Sequence, residues 1–116
     1  MHENTKHITN NGEEEIPLGI EPHGMWLYIE PGHTFRLVTR SKQPSQWEVV
    51  VNEEGICLWA AAFFTFEIFD GDELVFESNY PVPSGPSGMT AREFIGMMFS
   101  PESFEAGAHP WNFVIE

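Results

Sequence analysis

A chain of 116 residues with 41% hydrophobic and 14% aromatic content carries enough apolar material for one domain-sized core, which excludes an intrinsically disordered chain. The 18 acidic residues against 5 basic ones give a formal net charge of −13, a field that repels phosphate backbones and anionic lipid and so argues against direct binding to nucleic acid or to a membrane surface. The single cysteine, Cys57, forbids an internal disulfide, no apolar leader follows Met1, and the longest apolar run, Ile56 to Phe64, falls well short of the ~20 residues of a membrane helix, so a soluble cytoplasmic protein is expected.

Residues 1–15 are polar and show no hydrophobic period. Asn10-Asn11-Gly12 is turn chemistry and Glu13-Glu14-Glu15 is a charge run, which together predict a disordered acidic, polar tail ahead of a single β-rich domain spanning 16–116.

Met25–Ile29 then reads as a strand, and Pro31-Gly32 as a tight turn, because proline presets φ and glycine accepts positive φ. His33 to Thr39 alternates, with Phe35 and Leu37 on one face and Thr34, Arg36 and Val38 on the other; Gln43-Pro44-Ser45 breaks the pattern. Trp47, Val49 and Val51 alternate with Glu48, Val50 and Asn52, and Asn52-Glu53-Glu54-Gly55 predicts a hairpin into a strand that begins at Ile56. Phe64, Phe66 and Ile68 continue the period-2 pattern, Asp70-Gly71 is the strongest hairpin signal in the chain, and Leu74 and Phe76 lead the return strand. Short strands at this spacing predict a mainly β fold, an antiparallel β-sandwich of about six to eight strands, with a small β-barrel as the alternative.

Residues 79–88, rich in proline and glycine, read as a loop. Thr90 to Glu93 has the spacing of a capping box, and Ala91, Phe94, Ile95, Met98 and Phe99 fall on one helical face, which predicts one short C-terminal α-helix ended by Ser100-Pro101. Trp111 to Ile115 reads as a last strand.

The candidate chemistry is thin. His23, His33 and His109 lie at predicted strand ends, where Glu30 or Glu77 would complete a metal site, so a small metal-dependent enzyme or ligand-binding sandwich is one reading. Against it, no two of these histidines share a short ligand spacing, and Cys57 is followed by Leu-Trp-Ala rather than by the histidine and methionine of a copper loop. Ser87 misses the spacing of a nucleophile elbow, Asp70 to Glu73 lacks the ligand order of a calcium loop, and no phosphate-cradling glycine motif occurs; no catalytic residue and no cofactor are expected.

Of the tryptophans, Trp47 is in phase with Val49 and Val51 and so faces the core, while Trp59 shares its face with Cys57. An exposed Trp on a sheet would stack on a sugar ring, which leaves a carbohydrate-binding module as a further alternative. Arg36, Arg40 and Lys42 crowd into one stretch, and Arg36 and Arg40 share a face. That stripe would orient a partner on an otherwise acidic body, or guard an edge strand against aggregation. The segment Ile56 to Phe69 is apolar on both faces, so Trp59, Phe63 and Phe69 become candidate binding residues beside Arg36 and Arg40. The leading expectation is a non-enzymatic acidic module that binds a basic protein, in the manner of an inhibitor or immunity protein.

Overall fold

The computed structural model describes residues 2–21, 23–41, 47–60, 64–78 and 104–116, and these residues form strands and turns. The strands are β1 (His2–Asn10), β2 (Ile16–Glu21), β3 (Met25–Ile29), β4 (Thr34–Ser41), β5 (Glu48–Asn52), β6 (Gly55–Trp59), β7 (Phe64–Asp70), β8 (Glu73–Ser78), β9 (Phe104–Ala106) and β10 (Phe113–Ile115). They make two five-stranded sheets, the first in the order β10-β1-β4-β7-β8 and the second in the order β3-β2-β6-β5-β9. Both sheets are open, each with two edge strands, which removes the closed-barrel alternative.

Turn residues explain two of the hairpins, β5–β6 and β7–β8; β2 and β3 form a third antiparallel pair of consecutive strands. Gly55 ends the β5–β6 turn with φ 134 and Gly71 the β7–β8 turn with φ 61, backbone positions that a side chain strongly disfavours. Pro31-Gly32 also turns the chain, but it carries β3 of the second sheet over to β4 of the first rather than closing a hairpin.

Alternation then divides each strand. The inward residues of both sheets form one hydrophobic cluster, in which Ile8, Leu37 and Phe66 from the first and Leu18, Ile56 and Leu58 from the second are at most 1% exposed. Each such side chain contributes roughly 1.5–3 kcal/mol on burial, most of it offset by chain entropy. Phe66 is an aromatic hub, with ring centroids 4.9 Å from Trp47, 5.1 Å from His23 and 5.6 Å from Phe76.

Three expectations are corrected here. Residues read as a disordered tail contain β1, which lies between β4 and β10 and pairs with both. Its sequence, HENTKHITN, holds one apolar residue, Ile8, so no period was visible; the strand forms because β4 pairs with it from His2 to Thr9 and β10 takes the other side from Ile8 to Asn10. Secondly, the pairing is not purely antiparallel: β2 runs parallel to β6, and β5 parallel to β9. Thirdly, β4, which carries Arg36 and Arg40, is the central strand of its sheet, so the two arginines guard no edge. The segment expected to form the C-terminal helix, 90–99, and Phe63 lie outside the described residues. No helix among the described residues is long and apolar enough to cross a membrane.

Asn10 holds the turn between β1 and β2. Fully buried, its Nδ2 donates to the Glu14 carbonyl at 2.7 Å and the Ile29 carbonyl at 2.8 Å, while its Oδ1 accepts the Gly12 N–H at 2.9 Å. A residue that reads as loop chemistry in sequence thus satisfies three backbone groups from different segments.

Candidate functional site

The outer face of the second sheet carries the largest aromatic surface among the described residues. Period-2 alternation sends Leu18, Leu27, Ile56 and Leu58 inward, so their neighbours Gly19, Trp26, Cys57 and Trp59 point outward. Cross-strand register sets Trp26 beside Gly19, Gly19 beside Cys57 and Cys57 beside Val50, one row over four strands. A second row places Tyr28 beside Pro17, and a third places Trp59 between Glu21 and Glu48.

Gly19 decides how Trp26 lies. A Cβ added at Gly19 would stand 3.3 to 3.5 Å from three carbons of the Trp26 six-membered ring. Without that carbon the indole rests across the glycine backbone, and it remains 47% exposed. Tyr28, two residues on, is 52% exposed. Between Trp26 and Trp59 runs a cleft of about 270 Å³, with Val50, Gly55, Ile56 and Cys57 lining it and Asn52 and Glu54 at one end. Asn52 Oδ1 is already engaged, accepting the Glu54 N–H at 2.8 Å.

The charge pattern separates the two sheets. Strands β2, β3, β5, β6 and β9 contain no lysine or arginine, while Glu21, Glu53 and Glu54 border the aromatic rows and Glu48, opposite Trp59, is buried. Lys6, Arg36 and Arg40 all lie on β1 and β4 of the first sheet; Lys42 and Arg92 are outside the described residues.

Of the expected arginine stripe, Arg36 and Arg40 share a face of β4; Arg40 is paired with carboxylates and Arg36 is stacked on an aromatic ring. Arg40 bonds Glu3 of β1 at 3.1 Å and Glu67 of β7 at 2.6 Å, and the Arg36 guanidinium sits 4.3 Å from the centre of the Phe69 ring. Phe69 is therefore covered by its cross-strand partner rather than presented as a bare apolar surface. Of the predicted binding residues, Trp59 lies in the cleft, and Arg36, Arg40 and Phe69 lie on the outer face of the other sheet.

The three histidines do not converge. His23 packs edge-on against Phe66 and Phe76 and comes within 3.3 Å of Ser78 Oγ. His33 bonds both carboxylate oxygens of Asp70 at 3.0 Å, at the other end of β7 from Phe66. His109 accepts the Trp111 N–H at 3.1 Å beside β10. Among the described residues no three His, Cys, Asp or Glu side chains gather to hold a metal ion. Each histidine instead has a local structural partner.

Two of them report on pH with opposite signs. Burial lowers the pKa of His23 below 6.5, only partly opposed by Glu21. Protonation therefore favours the unfolded chain, and stability falls as pH drops below 6.5 towards the lowered value. The hydrogen bond to Asp70 raises the pKa of exposed His33 above 6.5, a contribution present in full below 6.5 and lost as pH climbs through the raised value. A His23→Gln variant keeps the His33 term and removes the other. Its urea midpoint is expected to fall less than that of the parent between pH 7 and pH 5; parallel curves would refute the assignment.

Sequence reasoning missed Trp26 and Tyr28 as site residues. Their alternation with Leu27 and Ile29 was readable and put both on one face; which face met solvent depended on β2 lying alongside. No family model, no curated protein and no solved structure matches the chain.

Proposed function

We propose that this protein is a non-enzymatic, acidic binding module of β-sandwich build, which docks a basic protein on the outer face of its second sheet. The observation that carries the reading is the pair Trp26 and Tyr28, about half exposed side by side on an ordered strand. Large, rigid aromatics are the usual anchors of protein interfaces, and they lose little entropy on binding. The carboxylates around them and the absence of any cation on the strands of that sheet favour a partner of opposite charge. Small size and a net charge of −13 agree with an inhibitor or immunity-type role in the cytoplasm.

The test is association with a panel of small cationic proteins, nucleases and pore-forming toxins included, followed by biosensor kinetics. At least one is expected to bind with an on-rate that falls roughly tenfold or more between low and physiological salt. Joint replacement of Trp26 and Tyr28 by alanine is expected to weaken that binding by roughly 30-fold or more, the loss expected of a hot-spot pair. Absence of any partner at low salt, or binding that ignores the double variant, would overturn the proposal.

A further inference from the structure

Resting on the preceding reading, we propose that the cleft between Trp26 and Trp59 is the seat of one arginine side chain of the basic partner, stacked against the indoles with its guanidinium directed at Glu54. Size comes first. At about 270 Å³ the cleft falls just below the range of pockets that enclose whole drug-sized ligands, so it suits a single side chain. Its walls are two indoles, one held flat by Gly19, and its floor is Val50 and Cys57, so the occupant is a slender group with an apolar stem.

Charge then selects among slender groups. Glu54 stands at the end of the cleft and forms no salt bridge with any described cation, Glu21 flanks Trp59, and no lysine or arginine lies on any strand of the sheet. A leucine or methionine would satisfy the walls and leave the carboxylate idle. A lysine would offer a compact, strongly hydrated charge. Arginine matches every surface at once, because its planar guanidinium stacks on aromatic faces, its three-carbon stem covers apolar floor, and its outer N–H groups meet a carboxylate in a fork. The molecule already makes this kind of contact internally, with Arg36 over Phe69 at 4.3 Å. A pyranose would need a fan of polar side chains, but the cleft supplies Asn52 and Glu54 alone, with Asn52 Oδ1 already bonded.

The experiment uses the full chain and three pentapeptides, Gly-Gly-X-Gly-Gly with X as arginine, lysine or citrulline, titrated at constant ionic strength. Indole N–H resonances are the readout. Trp26 and Trp59 are expected to shift, while core Trp47, which does not line the cleft, stays in place. The arginine peptide should bind roughly two- to thirtyfold tighter than the citrulline peptide, the span of a cation–π contact, with lysine between. Trp26→Ala and Glu54→Gln should each reduce the arginine response, and Glu54→Gln, at an exposed turn position, should do so without moving the unfolding midpoint. Gly19→Val should reduce it by lifting the Trp26 ring. Equal responses to arginine and citrulline, shifts spread over all four indoles, no shift at all, or a response to a monosaccharide panel in place of the peptides would each overturn the arginine seat. If a cationic protein still binds through Trp26 and Tyr28 while the peptides fail, only the arginine assignment falls; if no cationic protein binds, the broader reading falls with it.

Discussion

Deleting residues 1–10 is expected to abolish cooperative folding. In a chain whose first residues formed a solvated tail the same deletion would leave the unfolding midpoint where it was. Here it removes β1 from the interior of a sheet, where it pairs with β4 from His2↔Ser41 to Thr9↔Thr34 and with β10 from Ile8 to Asn10. Three losses combine. The Ile8 side chain, 1% exposed, leaves a hole that by itself costs about 2–5 kcal/mol. Asn10 no longer satisfies the Gly12 N–H and the carbonyls of Glu14 and Ile29, each worth roughly 1–3 kcal/mol if left buried without a partner. Strand β10 loses β1, the one neighbour it has among the described strands. Together these approach or exceed the 5–15 kcal/mol that typically holds a domain folded. Circular dichroism with a urea titration decides it. A truncated protein that unfolds cooperatively near the parent midpoint would show that β1 is not part of the folded unit. Ile8→Ala is the graded control, folded but destabilised by about 3 kcal/mol.

Replacing Gly55 by alanine is expected to destabilise the protein by about 3–5 kcal/mol, a size reserved for changes with a definite steric cause. Two causes coincide. Gly55 has φ 134, where a side chain is strained, and an added Cβ would fall within 2.3 Å of the Pro17 carbonyl oxygen. That oxygen belongs to backbone, so relief requires β6 to draw away from β2, just where their parallel register begins at Leu18↔Ile56. Gly71→Ala is the matched control, since Gly71 also has positive φ, 61, but its Cβ would meet open space; it should cost only about 1 kcal/mol. Equal penalties at the two glycines, measured by chemical denaturation, would show that the contact with Pro17 is not felt.

Much of the fold was legible wherever turn chemistry and alternation agreed. Asn52 to Gly55 and Asp70-Gly71 marked the β5–β6 and β7–β8 hairpins because only a few residue types accept those backbone angles. The inward course of Trp47 and the outward course of Trp59 followed from phase alone. Beyond that, pattern carried no information. β2 contains Pro17 and Gly19, residues that argue against a central strand; it is tolerated because the parallel ladder with β6 begins at Leu18, one residue past the proline. The parallel pairs join segments far apart in sequence and leave no local mark. The site was half legible: Trp59 was named from its phase, whereas Trp26 depends on Gly19 of a neighbouring strand. Arg36 and Arg40 were correctly grouped, but Glu3 and Glu67, which neutralise Arg40, reach it from two other strands.

The place of β1 also sets a clock on biosynthesis. Its outer neighbour is β10, with Ile8 paired to Ile115 and His7 and Glu116 exchanging backbone hydrogen bonds at 2.7 and 2.8 Å. β1 therefore leaves the ribosome well before the strand that pairs with its outer side, and that pairing waits until Phe113 to Ile115 have been made. Until then the outer amides and carbonyls from Ile8 to Asn10 lack β10, an open edge of the kind that invites pairing with another chain, and a net charge of −13 opposes such encounters by repulsion.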